Sequence, residues 1–255
     1  MDFENTDSEP NWLRHLNKMT AFALQRRQHE EQLAELAKGH YYVRIGGNGF
    51  RLVSIHLDNP CGSVYVDNRA TSSKSSLDPV LVQASVASHR IGPPGNGKPE
   101  HRVQARLIHC ALTQPSKLAS LLDCTDLFDE LLFISDEFRL DDIRADVIAL
   151  GRKEAQYFPV FIELKATRTL KRVIEQLERI TERMVAQPDA VAAFLAAASG
   201  IPAADIEMTA LRLIIWPSRG SSKESATVSS ARGKGFHTVG FKEAAPGEFV
   251  FSLES

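Results

Sequence analysis

Cysteine is scarce: Cys61, Cys110 and Cys124 are the only three, none in a CxxC spacing, which argues against a disulfide framework or a thiolate zinc site. Buried, reduced thiols are the expectation. No apolar run approaches the ~20 residues that span a bilayer. The start, from Met1 to Trp12, is acidic and has neither a cationic segment nor an apolar stretch, so no secretory leader is expected and the chain reads as cytoplasmic. Charge of one sign is lacking too: 30 basic against 32 acidic residues leave a net charge of −2. That balance excludes a uniformly basic chromatin-type protein but leaves room for a local basic face.

Several chemical signatures are also missing. The eight histidines form no HExxH or HxH pair and no serine sits in a GxSxG elbow, which removes zinc proteases and α/β-hydrolases. Gly92, Gly97 and Lys98 imitate the spacing of a phosphate-binding loop, but Pro99 stands where a Ser or Thr hydroxyl should bind Mg²⁺. Pro93 and Pro94 also remove N–H donors from a loop whose purpose is to present them. This stretch reads as a linker.

What is there is a chain of 255 residues, 43% hydrophobic, long enough for one large domain or two modest ones. The densest cluster of breakers, Gly92 to Pro99, divides residues 1–95 from 96–255. In the first part, Trp12, Leu13, Leu16, Met19 and Ala23 recur at helical spacing within a helix from about Asn11 to Lys38. Its middle, Gln25 to Gln32, is wholly polar and reads as a solvated arm or partner surface. Tyr41 to Ile45 and Phe50 to Leu57 flank a glycine-rich turn, and Val64 to Val66 and Val80 to Val86 are further strand candidates, making a small β unit.

In the second part, Pro99 opens a helix to about Thr113, where its missing N–H costs nothing, and Ser116 to Leu122 is a further helical segment. Strands are expected over Leu131 to Ile134, Ile143 to Leu150 and Phe158 to Lys165, with Asp141 and Asp142 in the turn between the first two. Leu170, Val173, Ile174, Leu177, Ile180 and Met184 then form one helical stripe, and Ala190 to Ala198 a further helix. Strands follow at Leu211 to Trp216, Phe236 to Phe241 and Phe249 to Leu253, with Ser218 to Gly235 between them as a mobile polar loop.

One cluster carries chemistry. Alternation along a strand puts Glu163 and Lys165 on the same face, and pairing with the Ile143 strand would bring Asp146 alongside Glu163. Two carboxylates at the edge of an apolar sheet repel each other, and a divalent cation is the simplest way to keep both ionised. Mg²⁺ takes oxygen ligands, retains waters and accepts phosphate oxygens, with Mn²⁺ as a substitute. A water so activated, with Lys165 to orient it or to balance charge building on a phosphate, implies phosphodiester hydrolysis.

Asp146, then Glu163-x-Lys165 at the end of an apolar strand, then an amphipathic helix carrying Gln176, resembles the PD-(D/E)XK nuclease superfamily. The resemblance covers roughly residues 96–255. It implies an α/β, restriction-endonuclease-like core of helix, three antiparallel strands, helix and strand, behind a small α+β N-terminal region that would serve substrate selection or oligomer contact. It implies Asp146 and Glu163 as metal ligands, Lys165 as catalytic, Gln176 beside them, and Glu100 as a further acid from the first helix. The sequence departs from the family pattern in lacking Pro before Asp146 and in reading Gln176-Leu-Glu-Arg-Ile180. The implied activity is a Mg²⁺-dependent deoxyribonuclease, an endonuclease ahead of an exonuclease, with DNA as partner and a homodimer where two strands are cut. Arg168, Lys171, Arg172 and Arg179 are the expected phosphate contacts. Two other readings stay open: an inactive nucleic-acid-binding module on this fold, and a structural or regulatory oligomer built on the N-terminal helix.

Overall fold

Three apolar segments rich in β-branched and aromatic residues pair in succession. β4 (Glu130–Leu140), β5 (Ile143–Lys153) and β6 (Gln156–Leu164) form an antiparallel meander. The computed structural model from which this follows describes residues 11–27, 44–45, 53–59, 62–66, 99–140, 143–218, 226–245 and 248–254. The helix expected beyond Arg27, the strand at Val80 to Val86, the linker up to Lys98 and the turn at Asp141 and Asp142 lie outside these residues.

Before the meander come α1 (Asn11–Arg27), a three-stranded sheet of β1 (Arg44–Ile45), β2 (Val53–Asn59) and β3 (Gly62–Val66), then α2 (Pro99–Thr113) and the single turn α3 (Leu118–Leu121). After it come α4 (Lys171–Ala186), α5 (Pro188–Ser199), β7 (Leu211–Pro217), α6 (Ala226–Gly233), β8 (His237–Ala245) and β9 (Glu248–Glu254). The large sheet is six-stranded and mixed, in the order β4-β5-β6-β7-β8-β9, with β6, β7 and β8 parallel and the other pairs antiparallel. The fold is α/β.

Parallel neighbours demand crossovers, because a hairpin can only reverse the chain. α4 and α5 cross from β6 to β7, and α6 lies in the crossing from β7 to β8. This corrects the expectation of a mobile loop from Ser218 to Gly235: Ala226–Gly233 is helical, with Val228 and Ala231 buried. The segment is too short and polar to show an amphipathic stripe, and the parallel pairing of β7 with β8 supplies the reason for a helix there.

Strand alternation sends side chains to two cores. Phe161, Ile148, Ile214 and Trp216 pack with α1, α4, α5 and α6 on one face. Val160, Ile162, Leu164, Leu213 and Ile215 pack with α2 and α3 on the other. Helices on both faces explain why the central strands read as continuous apolar runs. α1 belongs to this architecture: Leu16, Met19 and Ala23 are fully buried in the core they share with α4 and α5, so the first helix uses its apolar stripe inside the fold. Among the described residues no helix is long and apolar enough to cross a membrane.

Candidate active site

β5 and β6 set the first two side chains. Val147 faces Ile162 as the last pair of the β5–β6 ladder, and Asp146 and Glu163 lie just beyond it. The two residues bond to each other's strands. The Asp146 carboxylate accepts the Leu164 N–H at 2.7 Å, and Glu163 is hydrogen-bonded by the Asp146 backbone. This reciprocal pairing fixes both carboxylates at the end of the sheet where β6 gives way to the segment before α4.

Glu163 is 2% exposed, and two side chains hold its carboxylate in addition to the Asp146 backbone. Lys165 Nζ donates to one oxygen, and Gln176 Nε2 donates to the other at 2.9 Å. Lys165 has just left the strand, and its own N–H goes to the Ile215 carbonyl of β7 at 2.9 Å. Burial pushes the Glu163 carboxyl above the usual carboxylate range, against the opposing pull of the Lys165 ammonium and of its hydrogen bonds.

Gln176 reaches the site because α4 buries Val173, Ile174, Leu177, Ile180 and Met184, which turns the adjacent stripe toward the sheet end. Its amide also donates to the Arg144 carbonyl at 2.6 Å, so it bridges β5 and β6. From the opposite face, Glu100 in the first turn of α2 accepts the Ala166 N–H at 2.8 Å. The structure therefore gathers Asp146, Glu163, Lys165, Gln176 and Glu100 around one end of β6. Among the described residues, no three His, Cys, Asp or Glu side chains are close enough together to hold a metal by themselves.

The basic candidates fall in two groups. Lys171 is the first residue of α4; Arg172 and Arg179 are exposed, one turn before and one turn after Gln176. Arg168 differs, because its side chain is 7% exposed and engaged within the fold: Nε donates to the Pro217 carbonyl at 2.8 Å, and Nη2 pairs with Glu254.

Gln104 is a contributor that the sequence reading missed. It is 6% exposed on α2 and donates to the Asp146 carbonyl at 3.1 Å. The signal was there: a lone amide, one turn after Glu100, interrupts the stripe of Val103, Leu107, Cys110 and Ala111 that buries α2. Comparison with protein-family models, curated proteins and solved structures finds no significant match for this chain.

Proposed function

We propose that this chain is a divalent-metal-dependent nuclease on a restriction-endonuclease-like core, hydrolysing phosphodiester bonds in DNA. The observation that carries the reading is the convergence of two neighbouring carboxylates, a lysine and an amide at one sheet end, each fixed by hydrogen bonds to another element of the site. A chance strand-end ion pair has no need of Asp146 bonded across β6, Gln176 bridging two strands or Glu100 arriving from the opposite face.

The donors are all carboxylate oxygens, which suits Mg²⁺ or Mn²⁺ and not a thiolate-seeking metal. Asp146 and Glu163 would hold the ion, with Glu100 nearby. The hydrogen bonds already made do not block this, because an ionised carboxylate has about four lone-pair sites. A bound cation would offset phosphate charge and make water easier to deprotonate.

The chain's own residues do the rest. Gln176 and Lys165 fix the orientation of the buried Glu163. Lys165 supplies positive charge beside the oxygens of a phosphate as negative charge builds there. The water oxygen forms the new bond to phosphorus, one P–O ester bond breaks, and the departing sugar oxygen takes up a proton. Arg172 and Arg179, exposed on α4 one turn to either side of Gln176, would contact the backbone. With one such site per chain, a homodimer would supply the two sites that cut both strands of a duplex together.

The test incubates wild type and Glu163→Ala with plasmid, linear and single-stranded DNA in Mg²⁺, Mn²⁺ or EDTA. Metal-dependent cleavage is expected in wild type and lost in the variant, while Lys165→Ala should slow cleavage at least about 100-fold. Cleavage that persists in Glu163→Ala, or that survives EDTA, overturns the assignment. Steeply salt-dependent DNA binding with no cleavage would make the chain a binding module instead.

A further inference from the structure

The segment between β6 and α4 carries Lys165 and Ala166, and it is held from several sides. The Lys165 N–H is taken by Ile215, the Ala166 N–H by Glu100, and the Thr169 N–H turns back to the Thr167 carbonyl at 2.9 Å. At its centre Arg168 binds the Pro217 carbonyl at the end of β7 and the Glu254 carboxylate at the end of β9. Its guanidinium also lies over the Trp216 ring, 5.2 Å from the centroid. The second oxygen of Glu254 accepts the Trp216 Nε1–H at 2.7 Å, so carboxylate, guanidinium and indole close a triangle.

This triangle stands beside the catalytic candidates. Glu163 neighbours Ile214 in the parallel register, and Trp216, two residues on, points to the same face. Space is kept for it by Gly240, which pairs with Trp216 across β7 and β8. A Cβ at Gly240 would come within 2.8 Å of Glu254 Oε1 and 2.5 Å of Ser218 Oγ. A guanidinium with its donors bonded to the fold and its face on an indole is placed to hold protein, not phosphate.

Building on the nuclease reading, we propose that Arg168 and Glu254 are positioning residues: their ion pair, stacked on Trp216, fixes the turn that presents Lys165 to Glu163 and to the reacting phosphate. Arg168 acts through Lys165 and does not touch the nucleic acid. The C-terminal strand thereby becomes part of the active-site support although it contributes no reacting group.

The test uses the full chain with Arg168→Lys, Arg168→Gln and Glu254→Gln. Three quantities are measured: DNA affinity across a salt series, single-turnover cleavage at saturating DNA, and hydrogen exchange of the Lys165 and Ala166 amides. The expected result is a cleavage rate down at least tenfold in Arg168→Gln, with affinity and its salt slope unchanged. Arg168→Lys should restore part of the rate, and the two amides should exchange at least tenfold faster in Arg168→Gln, with no change at Val147 to Leu150. A salt slope reduced by about one, with the saturated rate intact, would make Arg168 a phosphate contact and overturn the proposal. Unchanged exchange and unchanged rate would overturn it as well. If wild type cleaves nothing, the nuclease reading fails separately and the exchange comparison alone decides whether the clamp exists. Should Arg168→Gln fail to fold, Glu254→Gln, which keeps an oxygen for Trp216, carries the same comparison.

Discussion

At the scale of single residues, the site works against its own stability. Glu163 is buried, and burial raises its pKa more than Lys165 and the hydrogen bonds lower it. The folded state thus holds this proton more tightly than the unfolded chain does. The penalty is absent well below the ordinary glutamate value of about 4.3, grows as pH rises through the raised folded pKa, and is complete above it. Glu163→Gln keeps the shape and an acceptor for Gln176, and Lys165, 26% exposed, can take its charge to water. The expected outcome is a protein whose melting temperature at pH 7 to 8 equals or exceeds that of wild type, the gap closing toward pH 4.5. Thermal melts across that range decide it, and a variant less stable at every pH would mean that the Lys165 pair outweighs desolvation. The two described thiols are simpler. Burial raises Cys110, and burial beside Asp123 pushes Cys124 up to about 12. Thiolate is the reactive form, so peptide mapping after alkylation at pH 8 should find both unmodified until the chain is unfolded. The strand period made Glu163 and Lys165 legible as neighbours in the sequence. The fate of Arg168 was not, because its carboxylate partner lies 86 residues away and only the fold brings them together.

At the scale of elements, local pattern reads well where it is long and fails where tertiary contacts carry it. α4 is plain from its apolar stripe and α2 from its leading proline, whereas β4 continues past Ile134 through Ser135 and Asp136, polar residues that end a strand by composition. Both are fully buried, and a register shift between Phe133 and Ser135 accommodates them against β5. The β5–β6 hairpin shows a local rule broken: Glu154 has φ +57°, a conformation that costs a side-chain-bearing residue about 1–2 kcal/mol. Its N–H is held by the Asp129 carboxylate at 2.6 Å and its carbonyl by Arg152 at 3.0 Å, so the turn is fixed through the backbone. Glu154→Gly keeps those bonds and removes the strain, and glycine's greater unfolded-state entropy returns about 0.5–1 kcal/mol. A net gain of about 0.5–1 kcal/mol is expected, read as a higher urea midpoint with unchanged slope. A loss would place the turn's stability in the Glu154 side chain.

At the scale of the whole molecule, the arrangement of two cores on one sheet decides what the N-terminal helix is for. Composition divides the chain at the Gly92 to Pro99 breakers, and no sequence pattern tells whether an apolar stripe upstream covers a partner or its own domain. Leu16, Met19 and Ala23 answer for α1: they are fully buried against the layer that contains Val173, Leu177, Phe194 and Leu195, the layer that also holds α4 and hence Gln176 in place. Loosening α1 should therefore be felt across the sheet and not as a local fraying. The chain has two tryptophans, Trp12 on α1 and the fully buried Trp216 beside the site. In a Trp12→Phe background, urea unfolding followed by fluorescence reports Trp216 alone. Leu16→Ala removes a buried side chain of a kind that costs about 2–5 kcal/mol. The expected outcome is a single transition in which Trp216 unfolds at a midpoint lowered by that free energy divided by the slope, with the slope itself unchanged. If α1 were an independent arm, the Trp216 transition would stay where it is, because a helix that shares no core with the sheet cannot pass its lost packing energy to a residue at the far end of β7.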